Sequence, residues 1–199
     1  MSSYVVAVEG LDIALDDLSQ AAPNVRKAAS MAINGALRRA RTKSDREIRN
    51  QVNFPGNYLN PSTGRLVVSE TSRPERLEGM VTARQRPTSL ARFVKGTPRR
   101  GQPVRLEVTP GRSTTIPNAF LIPLRAGAAD IETKANLGLA IRLGPGERLS
   151  NKRRFKRIAS GLYLLYGPSV DQVFRSVGAE QSEPTADFLE SEFLRLLDI

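Results

Sequence analysis

The chain has no cysteine and no histidine among its 199 residues. The first absence excludes disulfides and thiolate chemistry and fits synthesis in a reducing cytoplasm. The second removes the usual zinc sites, Ser-His-Asp triads and imidazole acid–base catalysis. A hydrolase built from carboxylates alone would need two of them about 5–10 Å apart in a cleft. Outside the C-terminal segment most acids stand beside bases on helical faces, so the expectation is no enzyme, no metal and no cofactor. No run of about 18 apolar residues is present, so no membrane span is expected. The first residues, Met1 to Val6, lack a basic region before an apolar core and do not read as a signal peptide. Gly144-Pro145-Gly146 and Pro110-Gly111-Arg112-Ser113 lack the Gly-Lys-Ser/Thr ending of a phosphate loop.

What the chain does have is positive charge, unevenly placed. The total is +10. Residues 179–199 hold six acids and one base, a net of −5, so the other 178 residues carry +15. Such a body attracts polyanions or acidic protein surfaces and is screened by salt. Charge alone does not say which.

Leu11, Leu15 and Leu18 lie at helical spacing opposite Asp12, Asp16 and Asp17 and predict a short amphipathic helix. A long helix is expected over about 24–50, with Pro23 at its start. Val25, Ala29, Ala32, Ala36 and Ala40 form a stripe of small residues, flanked by Ile33 and Leu37. Beyond Leu37 the helix becomes almost wholly charged, which predicts a solvated end supported by four-residue pairs such as Lys43–Glu47. Residues 51–64 read as a loop anchored by Phe54 and Tyr58. Strands are expected between about 65 and 166. Candidates are 65–71 and 77–84 as a hairpin, 104–108, an extended run 115–124 confined to a sheet edge by its prolines, 138–143, and the apolar run ending at Tyr166. A flexible basic loop is expected over 144–156. A helix follows Gly167-Pro168 at about 169–178, and an acidic amphipathic helix fills 179–199.

The order predicts an α+β fold: a long N-terminal helix and C-terminal helices packed against a mostly antiparallel β-sheet. No composition break divides the body, so 1–178 is expected to be one domain.

Four segments, in order, carry a resemblance. They are Met31–Ile48 (MAINGALRRARTKSDREI), Arg86–Phe93 (RPTSLARF), Thr115–Leu124 (TIPNAFLIPL) and Leu162–Phe174 (LYLLYGPSVDQVF). Together they resemble the minor tail protein Z family, the tail-completion proteins of long-tailed phages and prophages. The resemblance spans roughly residues 25–175 and leaves out the acidic tail. It implies a structural virion protein, without catalysis, that completes the head-proximal end of the tail and joins tail to head. It also implies a homo-hexameric ring at the neck, bordered by the tail terminator, the tail tube and the head connector or adaptor. The place of action would be the virion tail neck, after assembly in the host cytoplasm, away from any membrane. Genomic DNA crossing the neck makes transient contact possible.

The candidate interface or DNA-facing bases are Arg38, Arg39, Arg41, Lys43 and Arg46 on the helix, and Lys152, Arg153, Arg154, Lys156 and Arg157 beyond Gly144. The second group surrounds Phe155, which suits phosphate contact with base stacking. Docking on an acidic protein, or plain solvation, fits the same residues. Phe188, Leu189, Phe193, Leu196 and Leu197 form one apolar face of the last helix. That face can pack on the chain's own body or on the next subunit. Tyr166 to Ser169 and Ile116 to Phe120 read as core strands and turns, or as interface elements. The alternative function is a basic nucleic-acid-binding protein, with affinity falling steeply as salt rises.

Overall fold

The computed structural model describes residues 21–99, 101–124, 136–144, 146–148 and 154–197. The helix expected around Leu11, and both Lys152 and Arg153, lie outside the described residues. The described chain is α+β: three α-helices and nine strands, paired antiparallel throughout. It divides into two compact units. The first comprises the described parts of 1–48, 59–85 and 170–199, the second 49–58 and 86–169. Both C-terminal helices thus belong with the long helix.

In the first unit, helix α1 (Pro23–Gln51, its last three residues assigned to the second unit) is the organising element. Alanine favours helix because it loses no side-chain entropy. Ala29, Ala32 and Ala36 of the small-residue stripe are buried, with Ala28 beside them, while Val25 and Ala40 at its ends are half-buried. The charged half is not wholly solvated, because Ser44 and Ile48 continue the buried face and Ile48 is fully covered. A row of charges hides one inward position per turn, which the count of charges obscures.

Strands β1 (Leu66–Glu70) and β2 (Met80–Ala83) pair in register Leu66↔Ala83 to Glu70↔Met80, with an irregularity after Val68. Helix α2 (Val170–Gly178) lies against β2. Its Asp171 N–H donates to the Arg84 carbonyl at 3.1 Å. A 3-10 turn joins it to α3 (Ser182–Leu197).

The second unit holds the expected strands, distributed over two sheets. One has the order β3 (Thr88–Ser89), β9 (Leu162–Gly167), β7 (Leu137–Arg142), β6 (Ala119–Pro123), with β8 (Phe155–Ala159) also paired to β9. The other is the hairpin β4 (Val104–Thr109) and β5 (Arg112–Ile116). The extended run expected over 115–124 is broken: Pro117-Asn118 forms a turn, with Asn118 at φ 58°, a backbone region that asparagine tolerates. The basic loop expected to reach Lys156 instead ends in strand β8.

Val94, Val104, Leu106, Ala119, Leu137, Leu139 and Leu165 form the core between these strands. Phe54 and Tyr58 stack at 5.1 Å, and Phe93 tilts onto Phe54 at 5.7 Å. Phe54 and Tyr58 are buried, as anchors should be. The Tyr58 hydroxyl shares a 3.1 Å hydrogen bond with that of Thr88.

Candidate docking surfaces

Three of the four resemblance segments come together in the five-stranded sheet. Arg86–Phe93 forms β3 and a 3-10 turn, Thr115–Leu124 ends in β6, and Leu162–Phe174 begins as β9. Thr88 pairs with Gly167 and Ser89 with Tyr166. The Ser89 hydroxyl donates to the Leu137 carbonyl at 3.1 Å and accepts from the Ala91 N–H at 3.3 Å. Thr88, Phe93 and Ala119 are buried. The Arg86–Phe93 and Leu162–Phe174 segments thus supply buried strand and turn residues, whereas Thr115, Pro117, Asn118, Pro123 and Leu124 of the third segment are exposed.

The five candidate bases of α1 separate into two groups. Arg38, Lys43 and Arg46 are exposed. Arg39 is exposed too, but its guanidinium stands 4.5 Å from the Phe188 ring centroid, a cation–π contact. Arg41 points inward. It donates to the Leu66 carbonyl at 3.2 Å and to the Leu59 carbonyl, and pairs with Asp45 at 3.4 Å. Only 13 % of its side chain is accessible, so Arg41 ties the helix to the chain around β1 and offers nothing to an outside partner. Sequence spacing could not reveal this, because inward and outward arginines look alike until the carbonyls they meet are placed.

Helix α3 rests on α1 in its own chain: a methyl built at Gly35 would lie 3.6 Å from Phe188 Cε1. Yet none of its side chains reaches full burial. Phe188, Leu189, Phe193 and Leu196 are half-buried, Leu197 is 40 % exposed and Leu194 is 54 % exposed. Met31, on α1, is 49 % exposed. Leu194 falls outside the apolar stripe read from the sequence, and nothing in the spacing distinguishes it. Along the same helix, Arg195 forks onto Glu192 with two 2.8 Å hydrogen bonds. That contact holds the Glu192 carboxyl below, and the Arg195 guanidinium above, their ordinary values.

The remaining candidates, Arg154, Lys156 and Arg157, lie at and before β8 and are exposed. Their surroundings differ from those of α1. The described residues of the second unit carry twelve Lys and Arg against two acids, Glu107 and Glu147. Those of the first unit carry thirteen against eleven. The acidic tail and the basic helix, opposite in charge along the sequence, therefore share one nearly balanced unit.

Among the described residues no group of three or more Asp and Glu is placed to hold a metal ion. No described helix is long and apolar enough to cross a membrane. Compared with protein-family models, with curated proteins and with solved structures, the chain matches none of them.

Proposed function

We propose that the chain is a structural phage virion protein that completes the head-proximal end of the tail and mediates its joining to the head as a ring at the neck. The observation that carries this reading is α3, an apolar and acidic helix that leaves Leu194 and Leu197 open and buries no side chain fully. A helix of this kind is suited to a second protein surface, where apolar residues rimmed by charge are covered together. The exposed row Arg38, Lys43 and Arg46 supplies the complementary sign on the same unit. The ordered resemblance segments give the reading its family, and three of them lie side by side in one sheet.

The mechanism is complementarity of shape and charge, not chemistry. Copies of the chain close a ring, and the ring meets the tail terminator, the tail tube and the head connector. The test is native mass spectrometry of the purified protein, alone and after adding tail tubes of the same phage. A discrete ring, or a fixed number of copies at each tube end, is the expected result. Monomers that ignore tubes would overturn it. Leu194→Lys with Leu197→Lys should prevent the assembly while leaving the helical circular-dichroism signal intact.

A further inference from the structure

We infer that the strand-rich second unit carries a nucleic-acid surface along the edge of β8, and that the helical unit does not share it. The inference stands apart from the tail-completion reading and would hold for the chain whatever it assembles with.

Two observations carry it. The first is the charge division: among the described residues of the second unit, twelve bases face two acids. Both acids are already engaged within the unit. Glu107 pairs with Lys95 at 3.0 Å and accepts the Gly111 N–H at 3.2 Å. Glu147 accepts the Gly144 N–H at 2.8 Å. The exposed Arg99, Arg112, Arg142, Arg148, Lys156 and Arg154 are therefore not neutralised by these carboxylates.

The second observation is the edge itself. β8 is paired to β9 through Phe155↔Leu165, Lys156↔Leu164 and Arg157↔Tyr163, and no other described strand pairs with it. Four of its five residues are exposed. The register slips between Arg157 and Ala159, leaving Ile158 outside the pairing. Cations and a bulge at an edge oppose the addition of another strand, which argues against a partner that docks by extending the sheet. Arg154 to Arg157 spans about 10 Å of extended chain, long enough for its cations to meet successive phosphates of one strand. Lys156 and Arg157 alternate to the two sides of the edge, so their long side chains can straddle a backbone lying along it. A protein partner would want an apolar centre depleted of charge, whereas nucleic-acid interfaces are polar and strongly positive. Apart from Ile158, which is 43 % exposed, this face has the second composition.

The experiment is fluorescence anisotropy of the full chain with a labelled DNA duplex of about 30 base pairs, at salt from about 50 to 200 mM. Wild type should bind with a steep salt dependence. The triple variant Arg154→Gln, Lys156→Gln, Arg157→Gln should bind about tenfold or more weakly, with the slope of log affinity against log salt reduced by roughly 2–3. Lys27→Gln, Arg73→Gln, Arg76→Gln removes the same charge from the helical unit and should leave the slope within one unit of wild type. Equal losses in both variants would reduce the effect to net charge and overturn the assignment. So would wild type that ignores DNA but binds poly-glutamate, which would make the partner an acidic protein. Unchanged thermal melts of both variants exclude unfolding as the cause.

Discussion

Asn34, in the middle of helix α1, makes two hydrogen bonds with the backbone of Ser72, one in each direction. Its Nδ2 donates to the Ser72 carbonyl and its Oδ1 accepts the Ser72 N–H, both at 2.9 Å. The side chain thus acts as a third strand of one residue, holding the β1–β2 turn against the helix. The Ser72 hydroxyl adds a 3.2 Å bond to the Arg76 carbonyl across that turn. Asn34→Ala leaves a donor and an acceptor of a half-buried segment unmatched and should cost about 2–3 kcal/mol. Asn34→Asp should cost at least as much, since a carboxylate can only face the Ser72 carbonyl with repulsion. Urea titrations of the two variants check this, and a loss under about 0.5 kcal/mol, the level of an ordinary surface substitution, would remove the clamp from the account.

Arg41 should behave as a structural residue. Arg41→Lys keeps the charge but cannot reach the Leu59 and Leu66 carbonyls and Asp45 together, because it lacks the planar fork. We expect both Arg41→Lys and Arg41→Ala to destabilise by about 2–4 kcal/mol. Arg38→Ala, on the exposed side three residues earlier, should change stability by less than about 0.5 kcal/mol. Equal thermal melts for the 38 and 41 variants would contradict the geometry.

Gly138 in β7 has no room for a side chain. A methyl there would meet Leu124 Cδ2 and Leu164 Cδ2, each at 2.6 Å. Two leucine tips must move at once, and Leu164 is buried in the sheet. Gly138→Ala should therefore cost about 1–3 kcal/mol despite alanine's better backbone entropy. Shortening one neighbour in the same chain, Leu164→Ala, should make the two losses less than additive, which a double-mutant cycle measures.

Glu107 gives the hairpin β4–β5 an acid-sensitive contact. The Lys95 ammonium, and after it the Gly111 N–H, holds its carboxyl below the ordinary glutamate range. A depressed folded-state value stabilises above the unfolded value and is lost as pH falls through the folded one. Wild type should therefore melt higher than Glu107→Gln at neutral pH, and the difference should shrink as the pH drops below the usual carboxylate range. A difference that stays constant across that window would show that the charge of Glu107 is not what the hairpin uses.

The α1 boundaries and its alanine stripe were legible because small residues at three- and four-residue spacing have one helical solution. Phe54 and Tyr58 were legible as anchors because a Pro- and Gly-rich loop has little else to bury. Strand β8 was not legible: Phe155 to Ala159 sits at an edge with four exposed residues, so no alternation of apolar and polar marks it. The turn at Pro117-Asn118 was hidden inside an apolar run, because only the positive φ of Asn118 separates β5 from β6. The apolar face of α3 was legible as a stripe, but its partial cover by α1 was not. That depends on Gly35 admitting the Phe188 ring, a contact between residues far apart in sequence.

The interleaving of the two units has a consequence for synthesis. Ser44 and Gln181, which share a buried 3.3 Å hydrogen bond, are 137 residues apart. The long helix emerges from the ribosome well before α2 and α3, which belong to the same unit. The Ser44 side of the helix therefore gains this partner only after Gln181 has been made, and contacts of such long range form slowly. The second unit, residues 49–58 and 86–169, is already synthesised before Gln181 emerges, so it is expected to close first, and the first unit to be completed after it.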